Sequence, residues 1–415
     1  MNYFRPYAAS ADETVLSAWD TQVVRAADAP WLERLLAERG NELFADFAAR
    51  YNELRALPRS ARRALQRSLA RSRDLAMVPP EWRRKLAYSL AGAALLLVLG
   101  QGVAQANTIT VSPKTPPEII NGDGKCSFFE AIRNANDTLT GQVHIDCAAG
   151  DPAGADTIIL PKGTQTLTRA YNTSYGPTGV LLITSEITIQ GNKTKIIRQK
   201  GAPEFSLITV GTFGDLTLNN VTLSGGAGGN GGAINSHGLL AINNSTISGN
   251  TGSSHGGAIL SLGDYVIING STITRNTARY GGGIASYGDT VRITRSTISK
   301  NSAESIGGGI ISSNYLHITD SIITGNHAGA GGGGVYNGFG LGTLSIANST
   351  ISKNSASLGG GVLNDHSFTL TGSIVSGNVA SRGGGVYNGG DYTLFFNSGN
   401  TFSKNKAPMG PDVYP

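Results

Sequence analysis

The acidic residues in the second half of this sequence point first to polysaccharide cleavage. Hydrolysis of a glycosidic bond needs two or three carboxylates close together, and a lyase needs an Arg or Lys base near acidic metal ligands. From position 215 onward the acids are Asp215, Asp264, Asp289, Glu304, Asp320, Asp365, Asp391 and Asp412. Asp264, Asp289 and Asp391 each follow a Gly at the head of an alternating stretch, a setting in which Asp serves turn geometry. Asp264 and Asp289 are the candidate catalytic pair, because they lie one repeat apart; the Gly-Asp turn accounts for each without catalysis.

Other chemistry has weaker support. The histidines, at 144, 237, 255, 317, 327 and 366, share no repeat position and show no ligand spacing, so they are expected to be mostly solvated loop residues. No metal site and no cofactor is expected. G-x-S-x-G, P-loop and H-E-x-x-H motifs are absent from the sequence. The two cysteines, Cys126 and Cys147, lie beyond an export signal described below, where an even pair invites a disulfide. Closing that loop is worth around 3 kcal/mol through the unfolded state.

These side chains must be positioned by a repeat. "STISGN" at 245–250 returns as "STITRN", "STISKN", "SIITGN", "STISKN", "SIVSGN" and "NTFSKN", with the closing Asn at 250, 276, 301, 326, 354, 378 and 405. Three apolar columns follow the same period. Leu223, Ile247, Ile273, Ile298, Ile323, Ile351, Val375 and Phe402 form one; Ile234, Ile259, Ile284, Ile310, Val335, Val362 and Val386 form another; Ile242, Ile268, Ile293, Ile318, Ile346 and Leu370 form the third. Each copy reads as three short strands with a glycine turn between the second and third. Such a unit cannot close a core alone, but can when each copy is one coil stacked on the next. The expected architecture is a right-handed parallel β-helix of about 25 residues per coil, with columns repeating every ~4.8 Å.

Within that frame Asn250, Asn276, Asn301, Asn326, Asn354, Asn378 and Asn405 form an amide ladder. A second polar column comprises Ser236, Ser261, Ser286, Ser312, Asn337, Asn364 and Asn388. Either could be a sugar-binding strip. The structural reading is preferred, because both recur in every coil. The residue before each ladder Asn is Gly, Arg or Lys, and Arg275 and Lys300 in adjacent coils form a candidate stripe for an anionic ligand; solubility and discouragement of sheet pairing are the plainer reading.

The formal net charge of +5 does not indicate nucleic-acid binding. Residues 1–106 carry 15 Lys or Arg against 11 Asp or Glu, which leaves the rest almost neutral. The basic stretch runs into the apolar segment "LAYSLAGAALLLVLG" at 86–100 and then "QGVAQA", with Ala104 and Ala106 suited to a signal peptidase. Cleavage after Ala106 would leave Asn107 first; an uncleaved membrane anchor through 86–106 is the alternative. The expected divisions are a helical cytoplasmic extension at 1–84, the signal peptide or anchor at 85–106, a cap with the first coils at 107–215, and the repeats at 216–415.

"CSFFEAIRNAN" at 126–136, followed by "DTIILPKGTQTLT" at 156–168, resembles the cap motif of CSLREA-domain proteins, with Phe128 and Phe129 in place of the consensus Leu-Arg. The repeats are similar to those of chlamydial polymorphic outer-membrane proteins, through "GGAI" at 231–234 and 256–259 and "FSKN" at 402–405. The resemblance implies an exported bacterial β-helix, secreted or on the cell surface, with adhesion the role of some members. The expected function is therefore non-catalytic, structural or adhesive, with extracellular polysaccharide or a host or cell surface as partner and the export machinery met in transit. The alternative is a polysaccharide lyase or glycoside hydrolase acting on an acidic polysaccharide.

Overall fold

A computed structural model describes residues 107–119, 122–136, 145–150, 155–338, 342–389 and 395–415. The helical extension, the export or anchor segment and Ala106 lie outside the described residues. No helix among the described residues is long and apolar enough to cross a membrane.

The described chain winds as a right-handed parallel β-solenoid of about eight turns, with about 26 residues per turn. Every strand pairing between coils is parallel, and each apolar column stays in register: Ile242 faces Ile268, which faces Ile293; Ile247 faces Ile273 and Ile298; Ile259 faces Ile284 and Ile310. Nearly all of these side chains are fully buried, each worth about 1.5–3 kcal/mol of apolar burial. The order of apolar and polar positions along each strand thus decides which side faces inward.

One expectation needs correction. The coils from Leu239 to Asn337 contain four strands, as in Thr290–Thr294, Thr297–Ser299, Ser302–Ile306 and Ile310–Ser312, whereas the last three coils keep the expected three, as in Thr343–Ala347, Thr350–Ser352 and Val362–Asn364. The unforeseen strand follows the ladder Asn and carries only small residues inward: Gly228, Gly252, Ala278, Ala303 and Ala328 lie in one column. Gly and Ala give no hydrophobic alternation, so this strand is silent in a periodicity reading. The first two strands of each coil belong to one sheet, because Glu186–Arg198 and Asp215–Ser224 run through the bend that separates them in later coils.

The first coils are closed by a cap. Helix α1 (Phe128–Asn136) starts at a capping box: Ser127 Oγ accepts from the Glu130 amide at 3.3 Å and Glu130 Oε2 accepts from the Ser127 amide at 2.9 Å. Phe128 and Phe129 are fully buried and plug the end of the solenoid core. Cys126 and Cys147 are joined by a disulfide. Next to it, the Asp146 carboxylate accepts from the amides of Gly122 and Gly124 at 2.5 and 3.1 Å. Reduction should cost the cap no more than about 3 kcal/mol. Because coils are stabilised mainly by their neighbours, hydrogen exchange should rise in α1 and leave Ile298 and Ile310 protected.

Candidate functional site

The repeated polar positions are consumed inside the fold. Each ladder Asn sits indoors at the bend between the second and third strands. Asn276 is typical: its backbone N–H and its Nδ2 both donate to Asn301 Oδ1 at 3.0 Å, and Nδ2 also donates to the Ile247 carbonyl at 3.1 Å. The same pattern runs from Asn250 to Asn405. Both ends are closed, since Asn250 Oδ1 accepts from the Gly226 amide at 2.9 Å and Asn405 Nδ2 donates to Asp412 Oδ1 at 2.9 Å. Asp412, one of the acids of the second half, therefore terminates a ladder.

A second ladder went unread in the sequence. The Ser that opens six of the seven copies is buried, and its hydroxyl accepts from the backbone amide of the same Ser one coil earlier, as in Ser245 to Ser271 to Ser296 to Ser321, each at 3.1 Å; Asn400 takes its place in the last copy. Its repetition was visible, but Ser carries no signal of direction until the bend is built. The column from Ser236 to Asn388 is also interior; its amides connect as Asn337 to Asn364 to Asn388 at 2.7 Å each.

Side chains able to meet a ligand lie on the outer face of the first strands, where the copies differ. Thr290 sits opposite Tyr265 on one side and Tyr315 on the other, so two tyrosines stand two coils, or about 10 Å, apart. Thr290 is buried between them, whereas Tyr315 is 46% exposed. Two residues on, Ile267, Arg292 and His317 form the next outward column, and Ile267 is 40% exposed. Arg292 Nε donates to Tyr265 Oη at 2.6 Å, and Arg295 donates to Asn269 Oδ1 at 3.0 Å. Burial, aided by the Arg292 charge, lowers the His317 pKa and favours the neutral imidazole.

Asp264 and Asp289 border this face, each immediately before its strand and in adjacent coils. Their backbone carbonyls accept from Thr290 and Tyr315 at 3.1 and 3.0 Å. A Cβ on Gly263 or Gly288 would collide with the carbonyl of the preceding coil, so the Gly of each Gly-Asp pair is set by coil spacing. The third Gly-Asp acid, Asp391, lies outside the described residues.

The histidines also require correction. His255 and His317 are strand residues and half-buried; only His327, among those described, is exposed. His255 stacks on Tyr280 at 5.0 Å and meets the edge of Tyr287 at 5.4 Å, while Ser254 Oγ lies 2.7 Å from its Nδ1. These pairs join different coils through a register shift between Gly252 and His255, which spacing alone cannot reveal. Burial, and next the Arg279 charge, lowers the His255 pKa; burial, and next Tyr280, pushes Tyr287 up to about 12.

This cluster flanks a small outer core of Leu260, Ala285, Ile311, Tyr336 and Leu363 at the corner between the third and fourth strands. Tyr336 donates to Asp365 Oδ2 at 2.8 Å, and burial raises the Asp365 pKa although the tyrosine bond and His366 oppose it. Among the described residues no group of three His, Cys, Asp or Glu could hold a metal ion. Arg275 and Lys300 are exposed, at a bend where the backbone is left-handed.

Residues 244–262 match the Chlamydia polymorphic membrane protein (Chlamydia_PMP) repeat. That segment spans Asn250, the third strand and the glycine turn of one coil. No curated protein and no solved structure matches the chain.

Proposed function

We propose that this chain is an exported surface β-helix that acts as a non-catalytic adhesive module, holding extracellular glycan on the outer face of its first strands. The observation that carries the reading is the column Tyr265, Thr290 and Tyr315 beside Ile267, Arg292 and His317. Aromatic rings offer flat apolar surface to a sugar face, and Arg292, steadied by Tyr265, offers directed donors to its oxygens. The matched repeat is compatible with a surface location. The signal peptide or anchor at 85–106, with release at Asn107 as one outcome, belongs to the same proposal.

Tyr265→Ala combined with Tyr315→Ala should weaken retention on immobilised polysaccharide by about tenfold, the loss of two contacts of ~0.5–1 kcal/mol each, with little change in melting temperature. Undiminished retention would sink the adhesive role of this face. Polysaccharide cleavage is the second reading, favoured by the placement of Asp264 and Asp289 in adjacent coils beside Arg292. Release of reducing ends or unsaturated products from a polyuronate, abolished by Asp264→Ala or Asp289→Ala, would replace the first reading with the second.

A further inference from the structure

The two bends that flank the second strand present the same backbone problem and answer it differently. At the first bend the left-handed residues have φ between 44 and 66°, and they are Asn192, Lys193, Asn220, Asn244, Gly270, Arg295, Asp320, Asn348, Gly372 and Gly399. Apart from Lys193 and Arg295, this is the choice that conformational preference makes, since Gly, Asn and Asp tolerate this region best. At the second bend φ lies between 54 and 74° and the occupants are Gly225, Gly249, Arg275, Lys300, Gly325, Lys353, Gly377 and Lys404. No Asn or Asp occurs there, and every residue other than Gly is a cation. Conformation explains the glycines but not the preference for Lys and Arg over Asn, so something has favoured charge at this position.

The cations are also spaced. Arg275 and Lys300 occupy adjacent coils, whereas Lys300, Lys353 and Lys404 are two coils apart, with Gly325 and Gly377 between them. Side chains of Lys300 and Lys353 extend over those glycines, whose Cβ position would lie 3.8 Å from the lysine Cγ in each case. The three lysines therefore recur about every 10 Å, and Arg275, one coil before Lys300, extends the ridge to roughly 24 Å. Outward hydroxyls border it: Thr274, Ser299 and Ser352 on the second strands, and Thr277, Ser302 and Ser355 after the ladder Asn. A period of two coils is comparable to one disaccharide of an extended glycan.

We infer that the ridge of Arg275, Lys300, Lys353 and Lys404 is a track for an anionic polysaccharide that carries one charge per disaccharide and lies parallel to the solenoid axis. The inference rests on the adhesive reading but uses a different surface. Hydroxyl rows suit a polyhydroxylated chain, and exposed lysines contribute mainly through attraction that salt screens.

The test is the triple variant Lys300→Asn, Lys353→Asn and Lys404→Asn. Asn suits left-handed backbone better than Lys, so the melting temperature should hold or rise while the charge is lost. Wild-type chain should bind hyaluronan oligosaccharides, tightening with length until the oligomer covers the ridge. The variant should bind about tenfold more weakly at low salt, with the difference shrinking as salt rises. Equal affinity of variant and wild type, or wild-type affinity for single-stranded DNA matching that for hyaluronan, would overturn the track. Loss of binding in the Tyr265→Ala/Tyr315→Ala variant, with none in the lysine variant, would also overturn it and leave the adhesive reading standing. Loss confined to the lysine variant would support the track.

Discussion

Replacing Asn301 by Leu should destabilise the solenoid by about 4 kcal/mol, because four buried groups each lose a hydrogen bond worth roughly 1 kcal/mol, although Asn276 Nδ2 keeps the Ile247 carbonyl and Asn326 Oδ1 keeps the backbone amide of position 301. The four are the Asn276 amide and Asn276 Nδ2, which donate to Asn301 Oδ1, and the Ile273 carbonyl and Asn326 Oδ1, which accept from Asn301 Nδ2. Leu is close in volume, so the loss reads hydrogen bonding and not a cavity. Denaturant melting of the described coils would report it, and hydrogen exchange should localise the loss to the coils around Asn301. Asn301→Asp should also be destabilising, since a carboxylate can accept but cannot donate to Ile273 and Asn326. An unchanged melting temperature accompanied by lost ligand binding would mean that the column serves recognition.

That expectation depends on how the repeat was readable. The period and the apolar columns were legible because each inward Ile or Val sits in a short strand with polar neighbours, so register follows directly from alternation. The Asn column was legible because one residue type persists at one place. What escaped had physical reasons. Inward Ala278 and Ala303 bury too little apolar surface to mark a strand. The Ser ladder depends on hydroxyls that point to a backbone amide one coil away, a direction that Ser alone does not declare.

Of the candidate sites, Asp264 and Asp289 could be placed one coil apart from spacing, but their neighbours could not. Arg292 meets Tyr265 across 27 residues, and Tyr336 meets Asp365 across 29. Such pairs require the outward direction of each strand and the stacking register at once. The special character of the bend before each ladder Asn was likewise hidden, because the cations there read as ordinary surface residues until their φ angles are compared with those of the first bend.

Gly308→Ala should be at least as damaging as the Asn301 change, beyond the ~3 kcal/mol that overpacking usually costs. Its φ is not left-handed, so the reason is space. A Cβ there would fall well under 3.0 Å from the carbonyl oxygens of both Gly333 and His327, which belong to the next coil and cannot rotate away. The equivalent Gly257, Gly282 and Gly333 face the same obstruction, so the glycine turn, like the Gly-Asp turn at Gly263 and Gly288, is a place where successive coils come too close for a side chain. Relief would require the coils to part, breaking the amides of Gly308 and Gly309 from the carbonyls of Gly332 and Gly333 and displacing Ile310 from its stack. Gly325→Ala offers the contrast. Its Cβ would meet only the Lys300 side chain, at 3.8 Å, and its φ is 65°, so its cost should be the left-handed penalty of about 1–2 kcal/mol. Equal melting temperatures for the two variants would mean that backbone conformation, and not coil-to-coil contact, explains the glycines. A much larger loss for Gly308→Ala would assign each glycine class its own cause, and would leave the ridge before the ladder Asn as the place where coils accept a bulky side chain most cheaply.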